Sequence, residues 1–121
     1  PYNLAVILLA LGRRDEALKI IQQTTHERAQ GLVLIYHALG RKADSDAQLA
    51  TLTREHASDD AFSIAEAHAY RGEIDEAFRW LDRAYAQKDP SLFLVKGDRL
   101  LKNLEPDPRY KAFLHKMKLP E

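Results

Sequence analysis

Five histidines are the first residues in this chain to which chemistry could be assigned: His26, His37, His56, His68 and His115. Imidazole binds metals and moves protons near neutral pH, but spacing decides whether it can do so. No two of these histidines form H-E-x-x-H or an i, i+4 pair, and they fall in five separate segments. His37 and His68 occupy matching places late in successive apolar-periodic stretches, yet a shared metal would still need a carboxylate or thiolate partner. The chain has no cysteine, which removes thiolate zinc sites, cysteine nucleophiles and disulfides together. Paired carboxylates occur at Asp15-Glu16, Asp59-Asp60 and Asp75-Glu76. An acid/base pair needs one carboxyl buried and raised in pKa. Adjacent acids at the start of a helix instead point into water, where they cap free amides and complement the dipole. Ser45, Ser58, Ser63 and Ser91 lie in no G-x-S-x-G elbow. No G-x-x-x-x-G-K-[ST] or G-x-G-x-x-G is present to cradle a phosphate. The expectation is a non-enzyme with no catalytic residue, no metal site and no cofactor.

The elements that hold these residues are helical. At 121 residues the chain is long enough for one domain, and 45% apolar content is too high for disorder. Its 18 basic and 18 acidic side chains cancel, which argues against a nucleic-acid platform. The longest apolar run, Leu4 to Leu11, has 8 residues, far short of the roughly 20 that span a bilayer. With no signal-peptide pattern either, the expected location is cytoplasmic, away from the membrane. Opening on Pro1-Tyr2 in mid-pattern, the chain reads as a piece of something longer. Apolar residues recur at i, i+3, i+4 and i+7, and strict alternation never persists. The pattern predicts helices near 2–12, 14–24, 28–39, 42–56, 60–71 and 74–88, with Asp59 or Asp60 capping the fifth. Gly12, Gly40 and Gly72 each close an apolar-periodic stretch, as a left-handed C′ residue does. Linkers this short make consecutive helices antiparallel neighbours.

Repetition is the most specific signal. Gly12-Arg13-Arg14-Asp15-Glu16-Ala17 matches Gly72-Glu73-Ile74-Asp75-Glu76-Ala77 as G-x-x-D-E-A, 60 residues apart, or two units of 30. Ala38-Leu39-Gly40 echoes Ala10-Leu11-Gly12 in the middle unit. There the register is open: counting from the glycine puts Ser45 opposite Ala17, whereas a strict period prefers Ala47. Three such units imply a solenoid of helix pairs.

These residues resemble the tetratricopeptide repeat. The matching positions are Gly12, Ala17 and Ile21; Gly40, Ser45 and Leu49; Gly72, Ala77 and Leu81. The small residue after each glycine sits where two helices approach most closely. The units are shorter than the family's 34 residues, lack the first-helix Trp, and place His68 where a Tyr is usual. The resemblance covers residues 1–89 and implies an all-α, right-handed helix-turn-helix solenoid of three pairs. Residues 90–121 hold Pro90, Pro106, Pro108 and Pro120 and split into short helical pieces from Ser91 to Lys96, Asp98 to Leu104 and Pro108 to Lys118. Leu92, Leu94, Val95, Leu100, Leu101, Leu104, Tyr110, Phe113, Leu114 and Met117 are expected to cap the last pair as part of the same domain. Trp80 and Tyr85 are expected to fill inner positions. The run from Trp80 to Tyr85, then Asp89-Pro90, Asp107-Pro108-Arg109-Tyr110 and Leu119-Pro120, is similar to the C-terminal repeat tails of bacterial multidomain regulators. Those include class III adenylate cyclases and winged-helix regulators, which implies an upstream effector domain.

The resemblance implies a scaffold that binds a partner protein or peptide in a groove lined by first helices, here Gln30, Leu34, His37, Phe62 and Glu66. Those helices offer Asn3, Arg28 and Arg71 and no lysine, so a two-carboxylate clamp is not expected. The alternative is homo-oligomerisation. Leu4, Ile7, Leu8 and Leu11 form the core stripe of the first helix, leaving Val6 and Leu9 as the edge of a homodimer. From residue 89 on, seven Lys/Arg face five acids, a bias that suits a solvated cap.

Overall fold

A computed structural model describes residues 2–24 and 27–118. The chain is all-α, with no strand among the described residues. Its elements are α1 (Tyr2–Ala10), α2 (Arg14–Gln22), α3 (Arg28–Ala38), α4 (Lys42–His56), α5 (Ala61–Tyr70) and α6 (Ile74–Ala86). Two 3-10 helices follow, Pro90–Leu94 and Arg99–Leu104, and then α7 (Pro108–Lys116). No helix among the described residues is long and apolar enough to cross a membrane. The chain forms two compact units, Pro1–Glu55 and His56–Glu121.

The three glycine turns share one geometry. Gly12, Gly40 and Gly72 have φ of 80°, 75° and 79°. Nothing lies within 4 Å of where a Cβ would stand on any of them. Glycine is therefore used here for its left-handed backbone, not for space. In each turn the glycine N–H donates to the carbonyl three residues back, at 3.0 Å in all three. The next residue donates five back, Arg13 to Leu8 and Arg41 to Tyr36 at 2.8 Å and Glu73 to His68 at 2.9 Å. This paired closure satisfies carbonyls that a helix end otherwise leaves free. The following helix starts alike each time, with Ala17, Ser45 and Ala77 donating to the carbonyls of Arg13, Arg41 and Glu73.

Directly after the turns, α1 packs closely on α2 and α5 on α6. Ala17, Ser45 and Ala77, five residues past each glycine, are all buried, as are Ala5, Val33 and Ala65, seven residues before it. The Ser45 hydroxyl donates to the Val33 carbonyl at 2.9 Å, which places these two positions face to face. Counting from the glycine is thus the correct register for the middle pair, and Ala47 is exposed. A serine fits where alanine stands elsewhere because its hydroxyl finds a main-chain acceptor; left unpaired, it would cost about 1–3 kcal/mol.

In the first unit, α1 and α2 pair and α3 packs against both. The core joins Ala5, Leu8, Ala17, Ile21, Leu32 and Ile35. Gly31 sets the approach of α3 to α2, since a Cβ there would stand 2.4 Å from Ile21 Cγ1 and 2.6 Å from its Cδ1. In the second unit, α5 and α6 share a core with the tail, including Phe62, Phe78, Leu81, Leu101, Tyr110 and Phe113.

Two mutations test this packing. Gly31→Ala gains about 1 kcal/mol of helix propensity but should destabilise the chain, because Ile21 is fully buried and has nowhere to move. A double-mutant cycle with Ile21→Ala in urea denaturation should show a coupling of about 0.5–3 kcal/mol. Ala77→Leu should overpack the α5–α6 crossing and cost about 1–3 kcal/mol by the same measurement. Unchanged stability would place Ala77 elsewhere.

Candidate interaction surfaces

Three of the five positions expected to line a groove are buried. Gln30 and Leu34 belong to six consecutive buried residues of α3, from Gln30 to Ile35, so no side of that stretch is left for a ligand. Phe62 is buried in the second unit's core, and its amide donates to Asp89 Oδ2 at 3.3 Å. These three positions, expected to line a groove, are instead buried. Of the five, only His37 is exposed, and Glu66 is half-buried.

The first helix also turns a different face outward. Ala5 and Leu8 are buried, and Tyr2 and Leu9 pack against the first unit's core. Leu4, Ile7 and Leu11 are 47%, 46% and 65% exposed. The exposed stripe is thus 4, 7 and 11 rather than Val6 and Leu9. Val6 is half-buried. A helix apolar on every side gives periodicity nothing to choose between. Small Ala5, opposite Ala17, makes the choice.

Of the histidines, His26 lies outside the described residues. His56 Nδ1 is 3.0 Å from Asp59 Oδ1 and His68 Nδ1 is 2.9 Å from Glu73 Oε1. Arg71 adds a second contact to Glu73 at 3.0 Å. Asp60, not Asp59, caps α5, accepting from the Ser63 amide at 3.2 Å and hydroxyl at 2.7 Å. The other carboxylate pairs act at helix starts. Glu16 pairs with Arg13, which lowers its pKa, and Glu76 meets Arg79 at 2.5 Å. No group of three or more His, Asp or Glu among the described residues could hold a metal ion.

The tail carries a regularity that sequence reasoning passed over. Asp89, Asp98 and Asp107 stand nine residues apart. Each accepts a backbone N–H two residues on, at 2.9 Å in all three cases, from Ser91, Leu100 and Arg109. Each carbonyl then takes the N–H three residues on, from Leu92, Leu101 and Tyr110. Positions three and six after each aspartate are buried: Leu92 and Val95, Leu101 and Leu104, Tyr110 and Phe113. The first two pieces are 3-10 rather than α-helical, and Leu94 is exposed, not part of the cap. Tyr85 is exposed too, whereas Trp80 is half-buried against the core beneath the Arg83 guanidinium, 5.0 Å from its ring centre. Asp89 is itself buried and holds the α5 amide of Phe62 as well as Ser91. Asn103 Nδ2 donates to the Ala69 carbonyl at 2.9 Å, tying the second piece to α5.

Two clefts flank α7. One, of about 220 Å³, is lined by Phe78, Asp82, Arg109, Ala112, Phe113 and Lys116. Its cations are already neutralised. Arg109 meets Asp75 and Asp107 at 2.9 Å while covering the Phe78 ring at 4.7 Å, and Lys116 lies 3.7 Å from Asp82. The other, of about 410 Å³, is lined by Lys96, Gly97, Glu105, Tyr110, Lys111 and Leu114. Burial pushes the Tyr110 phenol up in pKa, so it stays protonated and donates to the Val95 carbonyl at 3.4 Å. The residues lining these clefts offer ion pairing and apolar contact. No family model, curated protein or solved structure matches the chain.

Hydrogen bonds from the Arg109 side chain and amide lower the Asp107 carboxyl from 3.8 to about 2. Because the folded value is depressed, its contribution is in full force above about 3.8 and is lost as pH falls through about 2. A carbon-detected NMR titration should find that midpoint, and Arg109→Met should return it toward 3.8. Asp89→Ala should cost about 1.5–3 kcal/mol in urea denaturation, since it strips a charged acceptor from two amides at once.

Proposed function

We propose that the chain is a non-catalytic protein-interaction scaffold built on tetratricopeptide-type helix pairs. The observation that carries this reading is the threefold recurrence of one turn and one crossing: Gly12 with Ala17, Gly40 with Ser45, and Gly72 with Ala77. Repeats of this kind offer helix surface to partners rather than a reaction centre. Within the first unit the exposed His37 of α3, and within the second the half-buried Glu66 of α5, are each a candidate contact for a partner peptide. The likeness of the tail to the ends of bacterial regulators makes a larger signalling protein the natural setting. Immobilised wild-type chain should retain a defined partner from an extract of the source cells. His37→Glu combined with Glu66→Lys should release it while leaving the helical circular dichroism spectrum intact. A partner held equally by that variant would refute both contacts.

Homo-oligomerisation is a second reading, favoured by the exposure of Leu4, Ile7 and Leu11 along one side of α1. Covering the part of each side chain still exposed contributes about 1–2 kcal/mol. Sedimentation of wild type should then show a concentration-dependent dimer that Ile7→Glu with Leu11→Lys abolishes. A wild-type chain monomeric at high micromolar concentration would end this reading.

A further inference from the structure

Counting back from each turn glycine shows what kind of surface the exposed stripe of α1 is. Leu4, Ile7 and Leu11 stand eight, five and one residues before Gly12. The residues at those places before Gly40 are Leu32, Ile35 and Leu39. Leu32 and Ile35 are buried in one core with Ala5, Leu8, Ala17 and Ile21, and Leu39 packs against it. In α3, therefore, this stripe is the face that seats the helix on the pair before it. Before Gly72, Ile64 and Ala67 at the eighth and fifth places are likewise fully buried. Of the three first helices, α1 alone turns the stripe to water, with Leu4, Ile7 and Leu11 all exposed.

The complementary surface is equally well defined. The α1–α2 pair receives α3 on Ala5 and Leu8, seven and four residues before the glycine, and on Ala17 and Ile21, five and nine after it. An outermost face of a repeat array has to be polar, yet α1 carries no charged residue. The last pair is covered differently: Ala65, Ala77 and Leu81, at its receiving positions, share a core with Leu92, Leu101 and Leu104 of the tail. In the middle pair Val33, Ser45 and Leu49 are buried as well. All three receiving surfaces are thus filled, so a second copy of this chain has none to offer α1.

We propose that the Leu4, Ile7 and Leu11 face seats a helix pair of the same repeat type, carried by a partner and not by a second copy of this chain. The partner's receiving surface has small residues where Ala5 and Ala17 stand and larger apolar ones where Leu8 and Ile21 stand, because those are the shapes the stripe meets in α3. The proposal rests on reading the chain as helix-pair repeats. It competes with self-association for the same side chains and makes no use of His37 or Glu66.

The probe is the chain's own first pair, whose receiving surface already fits this stripe in α3. Gly12 and Gly40 are 28 residues apart, so residues 1–28 are duplicated ahead of residue 1 in the full chain. The added pair then stands to the original α1 as α1–α2 stands to α3. The duplicated chain should unfold in urea at a midpoint about 1 M above wild type, and amide exchange in the inner α1 should slow. Ile7→Asp in the inner copy should remove that gain. In the outer copy it should shift the midpoint no more than it does in the wild-type chain. If the inner Ile7→Asp chain lost its helical spectrum, Leu11→Ser at the more exposed position would carry the same comparison. An unchanged or lowered midpoint on duplication, or an equal cost of the substitution in the two copies, would overturn the proposal. So would sedimentation showing wild type to be a dimer that Ile7→Asp disperses, since a second copy would then occupy the face. The urea midpoints read this face alone, and they decide it whatever partner the His37 and Glu66 variant releases.

Discussion

Two helices can cross closely only if the chain reverses quickly between them and a small residue occupies the crossing point. The first condition needs a backbone in the left-handed region, which costs a side-chain-bearing residue about 1–2 kcal/mol and glycine almost nothing. The second needs a side chain no larger than the gap. Gly12, Gly40 and Gly72 meet the first, and Ala17, Ser45 and Ala77 the second. Because the turn fixes where the next helix begins, it also fixes that the fifth residue beyond it lands on the crossing. The ninth, Ile21, Leu49 or Leu81, is then buried as well. Turn, crossing and core therefore follow from one constraint.

The tail solves a different problem. Residues beyond α6 must cover an apolar face with pieces too short to be stable helices by themselves. Asp89, Asp98 and Asp107 each start such a piece by satisfying amides that the piece leaves free. Two apolar residues per piece then reach the core. Asp89 does this while also holding the first turn of α5, so the start of the tail and the start of the helix it covers are fixed by a single carboxylate.

Much of this was legible in the sequence because glycine and the small residue after it leave a mark at fixed spacing. The all-α class and the glycine turns could be read directly, and the cap of α5 was narrowed to two adjacent aspartates. What escaped depends on partners in three dimensions. The face of α1 could not be read from a run in which every residue is apolar. Gln30 and Leu34 look like surface or half-surface residues until the whole stretch to Ile35 is seen to be buried. The end of α6 gave no glycine signal, because Lys88 takes φ of 57° there. The tail's nine-residue spacing is present as Asp89, Asp98 and Asp107, but only the first and third precede a proline, so the series lacks a uniform local mark.

The central claim, that one closed turn recurs three times and sets the helix crossings, is open to direct measurement by amide hydrogen exchange. The amides of Arg13, Arg41 and Glu73, each bonded to a carbonyl five residues back, lie just outside the helices and would be unprotected in an ordinary loop. The account predicts slow exchange at all three, lost together with the neighbouring helix amides of the same unit when denaturant is added. Exchange at the rate of an unstructured chain at any one of them, with the flanking helices still protected, would contradict it.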